Sequence, residues 1–188
     1  VAADRLLTLL PETLDAVYFV NSGAEAIDAA MKLVRRVTHR SKILAVEGGY
    51  HGNTFGALSV SSNAERKAPF APLVGDIELI PWNDMEGLET IDASVAGIIL
   101  ETVQGDAGIR IPNPEWLRTI RDKCTQTGAH LVLDEIQCGF GRSGRPFAFE
   151  HFGVEPDHLC LGKALGGGMP MGALVSSKEH LQQFAHSP

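Results

Sequence analysis

Short, unbroken apolar runs separated by helix-like stretches constrain this chain more than any other feature. Val17–Val20, Ile43–Val46, Ile77–Ile80, Val95–Leu100, Leu131–Leu133, Leu159–Leu161 and Ala173–Ser176 each read as a strand. Between them, Ala24–Val37 carries Ala26, Ile27, Ala30, Met31 and Val34 on one face at helical spacing. Shorter helices are predicted near Thr54–Val60 and Asp84–Ile91, and a further helix closes the chain. Pro114–Thr127 opens with Asn113 as N-cap and Pro114 at the first helical position, a proper helix start. Strands that are apolar throughout, rather than alternating, suit a sheet covered on both faces. Strand alternating with helix then predicts an α/β fold, a mostly parallel sheet flanked by helices on both faces. In such sheets ligands bind outside the carboxyl ends of the strands. The residues just past each strand are where chemistry is to be sought.

Composition narrows the class. With 188 residues the chain can bury one substantial core, or two small ones at most. Sixteen Lys and Arg against 23 Asp and Glu leave a net charge of −7, which argues against a nucleic-acid backbone as partner. The longest wholly apolar run, Val95–Leu100, is far below the roughly 20 residues of a membrane-spanning helix. Asp4 and Arg5 interrupt the first turn, so the opening residues are not expected to be a signal segment. Cys124, Cys138 and Cys160 form no C-x-x-C pair and no zinc-like spacing. They are expected to be reduced and packed, in keeping with a cytoplasmic protein. The seven His residues are scattered, and no metal site is expected. The first residue is Val1 rather than Met, and both ends are expected to belong to a longer polypeptide. Glycine is the outlier. Many of its 20 copies gather at 48–52, 139–144 and 162–172, where backbone is expected to come close to something.

The strand ends carry a set of individually modest signals. Asn21-Ser22-Gly23-Ala24 runs straight into a helix, either as an anion cradle at the helix N-terminus or as a plain cap on Ser22. Tyr50 and His51 stand between glycines, where the aromatic can stack on a planar ligand or simply pack its own loop. Glu101, Gln104 and Asp106 follow Val95–Leu100, and Asp134 follows Leu131–Leu133. An acid there needs a cation or donor, as metal ligand, catalytic carboxylate or partner of a protonated ring nitrogen. Nothing in the His spacing favours the metal. Lys163, flanked by Gly162 and the Gly166–Gly168 run, can be a phosphate-binding charge, a Schiff-base amine or a solvated loop residue. The P-loop order is absent. Together, an anion cradle, an aromatic platform, a buried acid and a lysine amine make the set of groups that pyridoxal phosphate requires.

The segments NSGAEA, GGYHG, ETVQGDAG, LVLDEIQCGFGRSG and LGKALGGGMPMGA resemble, in order and spacing, the class III aminotransferases of the ornithine, acetylornithine and 4-aminobutyrate type. These are pyridoxal-phosphate enzymes of fold type I, and the resemblance covers almost the whole chain. It implies that Lys163 is the lysine that binds the cofactor and then moves a proton, with burial and nearby positive charge lowering its pKa. It implies that Asp134 pairs with the pyridine nitrogen, that Ile136 packs under the ring and that Tyr50 lies above it. Gln137 would meet the phenolic oxygen; Ser22, Gly23 and Ala24 would hold the phosphate. His51 would orient, and Glu101 would order the acid side of the site. The implied reaction transfers an amino group from an amino acid to a 2-oxo acid such as 2-oxoglutarate, in a homodimer.

Two departures bear on substrate. Thr102 stands where the family commonly has Pro, and Asp106 where it commonly has a second Glu, the residue that screens a substrate-binding arginine. Asp106 is thus a candidate substrate gate, one methylene shorter. By the same resemblance, residues 1–188 correspond to the cofactor-binding large domain, without an N-terminal segment and a C-terminal small domain. An aminomutase, racemase or decarboxylase would share the cofactor, and an inactive truncated domain is the non-enzymatic alternative.

Overall fold

The computed structural model describes residues 1–185. The seven expected strands all form: β1 (Ala16–Val20), β2 (Lys42–Val46), β3 (Ile77–Ile80), β4 (Val95–Glu101), β5 (His130–Asp134), β6 (His158–Leu161) and β7 (Gly172–Ser176). They make one sheet in the order β1-β7-β6-β5-β4-β2-β3. Neighbours from β3 through β6 pair in parallel, whereas β7 runs antiparallel to both β1 and β6. The fold is α/β and mostly parallel, as the apolar runs predict.

Helices α1 (Ala2–Leu7), α2 (Gly23–Thr38), α3 (Phe55–Val60), α4 (Ala64–Lys67), α5 (Pro114–Thr127) and α6 (Lys178–Ala185) complete the fold. One apolar layer packs Ile27, Ala30 and Val34 of α2 on Ala45, Ile99, Val132 and Leu174 of the sheet. The opposite layer packs Trp116, Leu117 and Ile120 of α5 on Leu100, Leu131 and Leu159. Each such fully buried aliphatic side chain contributes roughly 1.5–3 kcal/mol, so these two layers hold the sheet in place. The predicted cap on α5 is present: Asn113 Oδ1 accepts from the Glu115 amide at 2.8 Å, and Gly128 ends the helix in the left-handed conformation.

Three expectations need correction. The stretch Asp84–Ile91 forms only a 3-10 turn over Gly87–Thr90, because Asp84 Oδ2 accepts from the Gly87 amide at 2.9 Å and holds the chain in a tight loop. Burial on both faces fails at the sheet edges. Tyr18 and Phe19 of β1 are exposed, and β3 is only partly buried. The inner strands β2, β4, β5, β6 and β7 are buried almost throughout, since each has a strand on both sides, whereas β1 and β3 close the sheet. Helices α1 and α4 are additional; both are short and lack a sustained apolar period.

Candidate active site

The parallel strands all end at the same edge of the sheet, and β7 begins there. The carboxyl ends of β4 and β5 are in register, so Glu101 and Asp134 are cross-strand neighbours. Asp134 is buried and held at both oxygens. Oδ1 accepts from the Ile136 amide at 3.0 Å, and Oδ2 from His51 Nδ1 at 2.7 Å. Because a carboxylate is the acceptor, His51 Nδ1 carries the hydrogen. The His51 amide donates in turn to Ser61 Oγ at 2.9 Å, which fixes the imidazole from behind. His51 and Asp134 thus form a buried pair in which the ring nitrogen holds one carboxyl oxygen in place.

Glu101 ties two loops together. Its carboxylate accepts from the Tyr50 and Gly105 amides, each at 2.9 Å. Burial pushes its pKa up, the two amide bonds pull it back, and the nearby Asp134 adds to the rise. Glu135, the first residue beyond β5, is buried where the Ala148 and Phe149 amides donate to its two oxygens at 2.7 Å each. Burial raises Glu135 to about 7. Sequence reasoning passed over Glu135 because its partners lie 13 and 14 residues ahead, in a segment with no periodic signal.

A cleft of about 820 Å³ opens above Asp134. Gly23 and Ala24 from the start of α2, Tyr50 and His51 from the loop after β2, and Glu101, Asp106 and Asp134 line it. Ile136, Gln137 and Lys163 stand between it and an adjoining, more apolar cavity of about 830 Å³ bordered by Ile109 and Ile111. Ser22 is the N-cap of α2, its hydroxyl oxygen accepting from the Glu25 amide at 3.2 Å. The cap and the anion cradle are compatible, because the amides of Gly23 and Ala24 have no acceptor within the helix. Asn53 and Thr54 also line the cleft, continuing the GGYHG segment by two residues.

Glycines shape the floor. A Cβ on Gly23 would fall within 2.7–2.9 Å of Ile136, and one on Gly162 within 3.1 Å of it. Ile136 is thereby wedged between the start of α2 and the end of β6, where its side chain forms an apolar floor. Gly105 leaves the space that the Gln137 amide group occupies. A planar ring with an anionic tail and a ring nitrogen fits these groups: a carboxylate pinned by a buried His, an apolar floor, and free amides at a helix start.

Lys163 differs from the expected burial, and Asp106 has a partner that the sequence does not indicate. Lys163 is exposed, not buried, because it sits on a short 3-10 turn past β6 where the Gly166–Gly168 run offers no side chain to cover it. Its φ of 42° is left-handed, an unfavourable conformation for a residue with a Cβ, and such strain is concentrated at functional positions. Asp106 pairs within the chain, its Oδ2 accepting from Arg66 at 3.1 Å at a half-exposed position. The same Arg66 guanidinium lies over the Tyr50 ring at 5.4 Å. Arg66 links the expected gate to the expected aromatic, a connection invisible in sequence because it spans 40 residues.

The chain matches the model of the aminotransferase class-III family over residues 1–188. It is 46% identical over 184 residues to the acetylornithine aminotransferase of Methanopyrus kandleri, covering 97% of this chain and 47% of that protein. It is 41% identical over 166 residues to the LysW-aminoadipate semialdehyde/glutamate semialdehyde transaminase of Sulfurisphaera tokodaii, covering 88% of this chain and 43% of that one. Among solved structures, the ornithine aminotransferase of Toxoplasma gondii superposes with a TM-score of 0.90 at 31% identity, over 96% of this chain and 45% of that chain. In that protein pyridoxal phosphate is present at the active site at partial occupancy. The chain thus spans about half the length of the curated relatives it matches. With the order of its motifs, the sheet topology and the family match all in agreement, this chain belongs to the class III aminotransferases.

Proposed function

We propose that residues 1–188 are the cofactor-binding large domain of an aminotransferase that uses pyridoxal phosphate. It moves an amino group from an amino acid of the ornithine, acetylornithine or 4-aminobutyrate kind to a 2-oxo acid such as 2-oxoglutarate, as a cytoplasmic homodimer. The observation that carries this reading is the buried Asp134, pinned by His51 at 2.7 Å on the floor of a cleft that also holds Lys163 and the start of α2.

Pyridoxal phosphate, when bound, supplies an electron sink that makes the α-proton of an amino acid removable. The chain's own residues do the rest. The Asp134 carboxyl would meet the ring nitrogen, and His51, 2.7 Å away, holds that carboxyl in one orientation. The amides of Gly23 and Ala24, with the Ser22 hydroxyl, would hold the phosphate. Ile136 and Tyr50, which line the cleft, would hold the ring between them, and Gln137 would hydrogen-bond the phenolic oxygen. Glu101 holds the Tyr50 and Gly105 loops in place. Lys163 Nζ would be the amine that holds the cofactor and then carries a proton to and from the substrate α-carbon. Asp106, engaged by Arg66, sets which substrate carboxylate or amine is admitted.

A second reading applies to the chain taken alone. Because Lys163 is exposed and the match spans about half of each relative, residues 1–188 bind the cofactor without completing turnover. Loaded with pyridoxal phosphate and then freed of unbound cofactor by gel filtration, the chain should keep a visible band, and Lys163→Ala should lose it. The full-length protein should form glutamate from 2-oxoglutarate with an amino donor, at least 10³-fold faster than its Lys163→Ala variant, by analogy with the usual loss of a catalytic nucleophile or base. No visible band retained by the protein after gel filtration, or equal rates in the two proteins, overturns the proposal. Glutamate formation by residues 1–188 alone overturns the second reading only.

A further inference from the structure

The edge of the sheet opposite the cleft, where the parallel strands begin, brings together three histidines that are 28 and 22 residues apart in sequence. His130 opens β5, His158 opens β6, and His180 lies in the first turn of α6. His130 Nδ1 is 2.8 Å from His158 Nε2. On its other side His158 Nδ1 is 2.8 Å from Ser176 Oγ, at the end of β7. His158 and Ser176 face each other in antiparallel register, so the reversed strand supplies the residue that orients the buried ring. His180 completes the triangle, its ring centroid 4.8 Å from that of His130 and 5.4 Å from that of His158. One ring nitrogen of each histidine lies within 4.8 Å of the others.

The hydrogen bonds of this cluster do not close. His158 is fully buried and shares its two nitrogens between His130 and Ser176. His180 Nδ1 is buried with no hydrogen-bond partner among the described residues. A buried polar nitrogen without a partner costs about 1–3 kcal/mol. Three convergent imidazoles, one of them unsatisfied, form the ligand set of a borderline divalent ion rather than of a hard oxygen-seeking one. Tetrahedral zinc at about 2.0–2.1 Å from each nitrogen places ligand nitrogens roughly 3.3 Å apart. The 2.8 Å pair must open slightly and the widest pair must close, both within reach of side-chain rotation. Asp157 stands close by, its Oδ2 accepting from the Leu131 amide at 2.7 Å and from Arg121 at 2.8 Å, so acid and base roughly cancel beside the site.

We infer that His130, His158 and His180 form a zinc-class metal site, with Ser176 orienting His158 and the fourth position open to water. The ion would fasten α6 to the beginnings of β5 and β6. His130 and Asp134 begin and end the same strand, roughly 13 Å apart at the usual rise per residue, so this site is separate from the cleft.

The test uses the full chain, zinc as probe, and His180→Asn, which removes the half-buried ligand while leaving the buried His158 and the His180 amide bond to Ser177 Oγ intact. Equilibrium dialysis should show one zinc per wild-type chain with Kd of about 10⁻⁶ M or tighter, and at least a tenfold loss in His180→Asn. Zinc at a hundredfold excess over Kd should raise the wild-type melting temperature by roughly 5–10 °C, and raise that of His180→Asn far less. Cobalt substituted for zinc should show tetrahedral visible bands in the wild type only. Circular dichroism without metal should show that both chains are folded; if His180→Asn is not, His130→Asn takes its place. A wild type that binds no zinc more tightly than about 10⁻⁵ M overturns the inference, as does a folded variant that binds it equally well.

Discussion

At the scale of single residues, this chain separates groups that act in the cleft from groups that hold the cleft together. Asp134, the last residue of β5, and Glu135, the first beyond it, are adjacent in sequence but engage different partners. One is oriented by His51 toward the cleft, and the other anchors the 147–149 turn through two amides. Glu135 is raised from 4.5 to about 7 by burial, so it binds a proton more readily folded than unfolded. Its contribution to stability is full below pH 4.5 and is lost as pH rises toward 7, by on the order of 3 kcal/mol. The buried His130 and His158 act in the opposite sense. Burial lowers both, so their contribution is lost as pH falls below 6.5. Urea unfolding of the wild type and Glu135→Gln at pH 5 and 7.5 isolates the carboxyl, since the histidines are common to both. The wild type should gain on the variant at pH 5 and lose that gain at pH 7.5; a pH-independent difference would count against this assignment. The candidate cleft residues were legible in sequence because they sit directly after strands. The partners of Glu135 and Asp106 were not, since each depends on a loop returning from elsewhere.

Among the elements, the junction of β7 with the start of α2 is the most tightly determined. A Cβ on Gly172 would overlap the Ser22 carbonyl and approach the Gly23 amide at 3.1 Å. Both neighbours are backbone and neither can rotate away. Gly172→Ala should therefore displace the N-terminus of α2 and cost roughly 1–3 kcal/mol, in the range of overpacked cores. The matching readout is a lowered melting temperature together with weaker binding of pyridoxal phosphate. An unchanged melting temperature would show that the junction has room that its geometry denies. The clustering of glycines signalled close approach, but which backbone each one meets depended on β7 being placed next to β1 and β6. The helix expected over Asp84–Ile91 shows the reverse case, where a side chain–backbone bond from Asp84 outcompeted helical propensity.

Across the whole molecule, the sheet is strongest at its centre and weakest at both edges. β4, β5 and β6 are buried almost throughout and paired on two sides, whereas β1 and β3 are edge strands with exposed or half-buried side chains. Hydrogen exchange should find the amides of β4 and β5 at least tenfold slower than those of β1 and β3, because edge pairs open without unfolding the rest. Equal protection at edge and centre would refute this gradient. Within the described residues, no helix is long and apolar enough to cross a membrane. The sequence by itself determined the alternation of strand and helix, the mostly parallel sheet and the residues at its carboxyl edge, because apolar period and strand-end position are local properties. Tertiary structure alone decided that β7 runs backwards between β1 and β6, that Lys163 is exposed, that Arg66 engages Asp106, and that three scattered histidines meet at the far edge. Those outcomes depend on which strands become neighbours, and that choice is made by packing both faces of the sheet at once, which no short stretch of sequence records.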